Sequence, residues 1–250
     1  MIRLKTDKEL NLMRKANWVV AIILLEIEDR IKPGVNTYEL DMWAEEKILS
    51  LGAKPAFKGY EGFPAALCTS INNEVVHGIP SKDRILEEGD IIGIDVGTIY
   101  RGFYGDGART FAVGKVSDEV QDLMNTCEKS LYEGIKMAKE GNRVNDISVA
   151  IDRFVRTRGY EIVRDLTGHG IGGNLHEDPQ VLNYDNGHKG PKLKINMTLA
   201  IEPMITNGGY EIMTLNNGWT VVTADGSLST HYENTIAITE NGPEILTKVQ

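Results

Sequence analysis

Two apolar runs of this chain carry a carboxylate in the same place. One extends from Leu86 to Asp95 and ends Ile91-Ile92-Gly93-Ile94-Asp95; the other extends from Leu193 to Glu202 and ends Met197-Thr198-Leu199-Ala200-Ile201-Glu202. Each has a small residue, Gly93 or Ala200, two positions before the acid. Side chains alternate faces along a strand. Ile92, Ile94 and Val96 therefore take one face, and Ile91, Gly93 and Asp95 the other. Met197, Leu199 and Ile201 likewise leave Ala200 with Glu202. A carboxylate among such neighbours is costly to bury unless it is paired or bound to a cation. The pattern then recurs, with Asp106 ahead of Thr110-Phe111-Ala112-Val113 and Glu233 ahead of Thr235-Ile236-Ala237-Ile238. This duplication predicts two similar α/β halves that face each other across a pseudo-two-fold axis.

Asp95 and Asp106 flank Ile99-Tyr100-Arg101-Gly102, and a hairpin turning there sets them opposite or diagonal to one another. Between Glu202 and Glu233, three turn signals (Gly208-Gly209, Asn217-Gly218, Asp225-Gly226) predict a four-stranded meander whose outer strands carry the two glutamates. A lone Asp at a strand end is ordinarily a turn or cap residue. Four acids in duplicated positions point instead to a site, where they would repel unless cations neutralise them. Two divalent cations supply about +4, which balances four ionised carboxylates. The formal net charge of −9 runs the same way and argues against a general electrostatic grip on nucleic acid or anionic membrane.

Around these strands the chain reads as helical. Thr6-Asp7-Lys8-Glu9 has capping-box form, and Leu10, Met13, Ala16, Val20, Leu24 and Ile27 recur at helical spacing up to Pro33-Gly34. Thr37 is expected to cap a second helix to Leu51, Ser117 a third to about Lys139, and a fourth should run from about Asn145 to Arg158. No linker interrupts the 250 residues, so residues 1–250 are expected to form a single domain. The first residues lack the apolar core of a secretory signal, and the longest apolar run, Trp18 to Leu25, is far short of a membrane span. Cys68 and Cys127 have no CxxC spacing and read as free thiols of a reducing cytoplasm.

The histidines sharpen the site. His169 lies in Thr167-Gly168-His169-Gly170-Ile171-Gly172, whose glycines permit close backbone approach. His176 follows seven residues later; His188 belongs to a polar loop, and His231, two residues from Glu233 on the same strand face, is left outside the site.

With these residues in view, the chain resembles the type I methionine aminopeptidases, dinuclear metallopeptidases of the pita-bread fold. The carrying segments are Ile71-Asn72-Asn73-Glu74-Val75-Val76-His77-Gly78-Ile79-Pro80, Ile94-Asp95-Val96, Gly105-Asp106-Gly107, Gly168-His169-Gly170-Ile171-Gly172, Leu175-His176-Glu177-Asp178-Pro179, Ile201-Glu202-Pro203-Met204 and Tyr232-Glu233-Asn234-Thr235. They cover nearly the whole chain in order.

The resemblance implies an α/β fold of the α+β type: two pseudo-symmetric halves with a central curved antiparallel sheet and flanking helices. It implies two divalent ions held by Asp95, Asp106, His169, Glu202 and Glu233. Asp106 and Glu233 would bridge them, Asp95 would complete one site, and His169 with Glu202 the other. His77, His176 and Glu202 would be catalytic, with Glu202 the proton acceptor and the histidines donors to the reacting peptide group. Tyr60, Phe63, Cys68 and Trp219, with His77 and His176, would contact the substrate, with Phe57 at the margin. Carboxylate-rich ligation with one imidazole suits Mn, Fe(II) or Co, and Zn also fits.

The implied activity is removal of methionine from nascent polypeptide N-termini at the ribosome by a cytoplasmic monomer, with no nucleic-acid or membrane binding. Type I rather than type II follows from the short interval between Glu202 and Glu233 and from the absence of an amino-terminal zinc-binding extension. An X-Pro aminopeptidase or prolidase of the same fold is disfavoured by the lack of a long amino-terminal domain. A non-catalytic binding module is disfavoured because all five ligand residues are present.

Overall fold

The computed structural model describes residues 1–249. Its first half contains helices α1 (Asp7–Ile27) and α2 (Thr37–Ser50), followed by strands β1 (Lys54–Pro55), β2 (Leu67–Ile71), β3 (Glu74–Val76), β4 (Ile91–Tyr100) and β5 (Phe103–Ala112). The second half opens with α3 (Asp118–Met137) and α4 (Val144–Arg156) and continues through β6 (Glu161–Ile162), β7 (Gly168–Gly170), β8 (Glu177–Val181) and β9 (Thr198–Ile201). The remaining strands are β10 (Met204–Thr206), β11 (Ile212–Thr214), β12 (Val221–Thr223), β13 (Ser229–His231), β14 (Asn234–Thr239) and β15 (Gly242–Ile245).

Each half packs a helix pair on one face of an antiparallel sheet. In the first, β4 pairs with β1, β2 and β5, and Ile92, Ile94 and Val96 bury against Leu24, Ile27, Leu40 and Ile48 of α1 and α2. In the second, the order is β15-β14-β9-β7-β8, and Met197, Leu199 and Ile201 bury against Leu131, Ile135, Ile147 and Ile151 of α3 and α4. Fully burying each such Leu or Ile contributes roughly 1.5–3 kcal/mol. These faces are the ones that the strand alternation assigns to the core. Their opposite faces carry the acids, and the halves meet there: Glu233 N–H donates to the Ala108 carbonyl, and Thr235 Oγ1 donates to the Asp106 carbonyl at 2.8 Å.

The β4–β5 hairpin turns at Arg101-Gly102, both with positive φ (49° and 84°), the two-residue turn that suits strand twist. Its register sets Gly97 opposite Asp106 and Asp95 opposite Ala108, so the two aspartates are diagonal neighbours on one face. Asp95 is therefore not terminal, as the sequence pattern suggested; it lies inside β4 because pairing with β5 continues to Tyr100. Glu202, by contrast, directly follows the last residue of β9, where Pro203 has no N–H to continue the ladder.

Other boundaries differ from expectation. The α2 cap is Asn36, whose Oδ1 accepts from Glu39 N–H at 3.0 Å. Asn is among the strongest capping residues, and Thr37 is left to bond Ser81 instead. Helix α1 gives way at Ile27 to a 3₁₀ turn over Glu28–Arg30, ahead of Pro33. The segment between the glutamates is not a four-stranded meander. Strands β10 and β13 pair with each other, while β11 and β12 form an inner hairpin that docks on β3. Turn residues mark where a chain reverses but not which strand it pairs with.

Strand β7 carries His169 between β8 and β9 with no room for side chains at either neighbour. A Cβ at Gly170 would collide with the Asp178 carbonyl, and one at Gly168 with the Ala200 carbonyl. Both obstacles are backbone, so Gly170→Ala is expected to destabilise the protein by about 1–3 kcal/mol. The urea midpoint should fall accordingly; an unchanged midpoint would contradict this packing.

Candidate metal centre

One cavity of about 160 Å³ is lined by Phe57, Tyr60, Glu61, Phe63, Cys68, His77, Asp95, Asp106, His169, Leu175, His176, Glu202, Trp219 and Glu233. Every residue to which the resemblance gives a ligand, catalytic or substrate role lines it. Glu61 and Leu175 also line it, although the sequence assigns neither a role.

At its floor the four carboxylates converge from both halves. Asp95 and Asp106 come from β4 and β5, Glu202 from the end of β9, and Glu233 from the junction of β13 and β14. Helix α1 supports this floor: Asn17 Oδ1 accepts from Asp106 N–H at 3.2 Å, and Thr98 Oγ1 donates to the Ala16 carbonyl at 2.9 Å. Asn183 Nδ2 donates to the Glu202 carbonyl at 3.1 Å from the other side.

His169 Nε2 lies 3.4 Å from Glu202 Oε1 and 3.9 Å from Asp106 Oδ2. Its Nδ1 is 2.8 Å from the Gly170 carbonyl, which can only accept. The ring proton is therefore on Nδ1, and the Nε2 lone pair faces the acids, the tautomer that a metal requires.

Asp106, His169 and Glu233 each offer a ligand atom within 4.8 Å of one another. Asp95 Oδ1, Asp106 Oδ1 and Glu233 Oε1 are buried with no hydrogen-bond partner. Each such orphan costs about 1–3 kcal/mol, and no lysine or arginine lines the cavity to neutralise it. Burial, and then repulsion from the neighbouring acids (Asp95 and Glu202 for Asp106; Asp106, Glu202 and Asp95 for Glu233), pushes Asp106 and Glu233 well above the usual carboxylate range. Asp95 and Glu202 are pushed up to about 7, chiefly by burial. Orphaned hard oxygens around one imidazole are what a divalent cation would satisfy, so the donor set fits.

Above the acids, His176 Nδ1 is 2.9 Å from Tyr60 Oη and its ring stands edge-on to His169. Burial lowers the pKa of His176 and takes that of His77 down to about 4, so both are neutral near pH 7. The mouth is aromatic, with Phe63 and Trp219 edge-to-face at 5.2 Å and His77 beyond Trp219. Cys68 is buried, and burial raises its thiol pKa well above the ordinary value, so its sulfur stays protonated and apolar. Both cysteines are free, as expected, and both are buried.

His188 is exposed, in keeping with its exclusion. His231 is a correction: the sequence reading left it out, yet its Nε2 lies 3.7 Å from Glu202 Oε2. The pairing of β10 with β13, Met204 opposite His231, brings it there, and no local pattern announces that pairing.

Comparison with known proteins agrees with this geometry. The profile of metallopeptidase family M24 matches residues 11–240. A methionine aminopeptidase of Clostridium acetobutylicum is 53% identical over 99% of both chains. Methionine aminopeptidase 1 of Bacillus subtilis is 49% identical over 100% of both. The crystal structure of a methionine aminopeptidase from Thermotoga maritima superposes with a TM-score of 0.98 at 45% identity, covering 100% of each chain. A prolidase from Pyrococcus furiosus shares the fold, with a TM-score of 0.80 at 24% identity over 99% of this chain and 66% of its own.

Proposed function

The chain belongs to metallopeptidase family M24, and from that premise we propose that it removes methionine from the N-termini of peptides and nascent chains whose second residue is small and uncharged. The observation that carries this reading is the meeting of two unlike surfaces in one cavity. Four carboxylates and His169 lie at the floor, and an aromatic wall with a protonated thiol lies beside them. Such a wall suits the flexible, polarisable methionine side chain.

Asp95, Asp106, His169, Glu202 and Glu233 would hold two divalent cations. Bound there, the cations would lower the pKa of water and polarise the scissile carbonyl. Glu202, whose two oxygens face His169 and His231 at the cavity floor, would take a proton from water and return it to the leaving amine. His176 Nδ1 lies 2.9 Å from Tyr60 Oη; with the hydroxyl donating there, the ring would carry its proton on Nε2 and donate it to the substrate carbonyl as charge develops. His77, neutral down to about pH 4, borders both the acids and Trp219 and would orient the substrate amide.

Residues 1–250 would work as one catalytic domain, a cytoplasmic monomer that meets its substrates at the ribosome. Among the described residues, no helix is long and apolar enough to cross a membrane.

The direct test is hydrolysis of a small peptide set by the metal-loaded protein. Met-Ala and Met-Gly peptides should lose methionine, while Met-Leu and Ala-Pro peptides stay largely intact. Preferential release from X-Pro peptides would overturn the assignment.

A further inference from the structure

His231 takes part in none of the roles described above, yet its setting is built around the same centre. Its backbone is clamped by one hydroxyl: Thr110 Oγ1 accepts from His231 N–H and donates to its carbonyl, both at 2.9 Å. Thr110 shares a face of β5 with Asp106, so this clamp ties β13 directly to the strand carrying the acids. The residue is 3% exposed, its Nε2 lies 3.7 Å from Glu202 Oε2, and it shares a cavity lining with Asp95 and Glu202, one acid from each half. Its Nε2 is buried without a hydrogen-bond partner.

A leucine in that position would bury without such a polar penalty. Packing therefore does not account for an imidazole here. Glu202 has one imidazole beside each oxygen, His169 at 3.4 Å from Oε1 and His231 at 3.7 Å from Oε2. The two differ in what they offer. The Nε2 of His169 is a lone pair, because its proton is committed to the Gly170 carbonyl. The Nε2 of His231 has no competing acceptor and can carry a proton toward Oε2 after a closure of under about 1 Å to hydrogen-bond distance.

We propose that His231 is a positioning residue, whose Nε2–H holds Oε2 of Glu202 so that Oε1 keeps facing His169. The proposal rests on the metallopeptidase reading of the site and adds to it a residue outside the five ligands. His231 does not line the aromatic cavity that would receive methionine; it borders the neighbouring cavity formed with Asp165, Thr167 and Met204. Its loss should therefore affect the holding of metal and the rate, not the binding of the methionine side chain.

The test compares metal-stripped wild type, His231→Gln and His231→Leu, each titrated with Mn²⁺ by calorimetry and then assayed on a Met-Ala-Ser peptide. Gln retains a side-chain N–H at similar reach, and Leu fills the space without one. His231→Leu is expected to weaken Mn²⁺ binding and to lower kcat by about 10–100-fold each, as is typical when a partner of a metal ligand is removed. KM should change by less than about twofold, and His231→Gln should recover most of both losses. Wild-type affinity in His231→Leu, or an equal loss in Gln and Leu, would overturn the proposal. The titration needs no turnover, so it judges His231 even if wild type released no methionine, a result that would instead defeat the functional reading.

Discussion

An Asp106→Asn chain is expected to fold, to bind Mn²⁺ at least about 100-fold more weakly than wild type, and to lose methionine release by roughly a thousandfold or more. Asp106 sits at the seam of the two halves, with His169 and Glu233 each offering a ligand atom nearby. An amide keeps the shape but offers one neutral oxygen where a divalent cation favours a charged carboxylate. The same change should stabilise the metal-free protein.

Burial, and then the charge of Asp95, already pushes the Asp106 carboxyl group up. Asp95 and Glu202, pushed up to about 7, show the sign most clearly. A carboxyl group raised in the folded state contributes stability that is fully present below its ordinary value and lost as pH rises through its folded value. For these two the loss falls between about pH 4 and 7. For Glu202 it is on the order of 3 kcal/mol when complete. His77 runs oppositely, its contribution disappearing as pH falls from 6.5 toward 4, but that is common to both proteins and cancels in the comparison. In EDTA, then, Asp106→Asn should melt above wild type, and the gap should widen between pH 5 and pH 8. A variant that melts lower at pH 8 would show that the acids do not repel.

His176→Ala should separate chemistry from metal binding. The ring lies beside His169 and is tied to Tyr60, but the acids are held without it. Its removal is expected to lower kcat by about 10²–10³ through loss of one donor to the developing oxyanion, with metal content unchanged. His169→Ala should do the reverse and empty the centre, because Nε2 is the one imidazole lone pair aimed at Asp106 and Glu202. Elemental analysis of the two variants decides the matter: equal metal loss in both would refute this division of roles.

How far the sequence announced this arrangement depended on the range of each interaction. The β4–β5 hairpin was readable because alternation has a period of two and Arg101-Gly102 supplies the tight turn, so the closeness of Asp95 and Asp106 followed from local chemistry, while the register of the pairing decided for the diagonal over the directly opposed arrangement. Helix starts were readable to within a residue, and Asn36 displaced Thr37 as the cap because its amide oxygen reaches Glu39. Between Glu202 and Glu233 the three turns were visible, but β10 with β13 and β12 with β3 are long-range pairings that turn residues do not encode. His231 was missed for the same reason. Trp219 lies far along the chain from Tyr60, Phe63 and Cys68; their assembly into one wall was implied by family resemblance, not by any periodicity.

One measurement bears most directly on the whole reading: the product released from a Met-Ala-Ser peptide by protein stripped with EDTA, before and after Mn²⁺ is restored. Free methionine should be absent before and should accumulate afterwards, with the intact Ala-Ser remainder in equal amount. Undiminished release by the stripped protein, or a first product other than methionine once metal is bound, would contradict it.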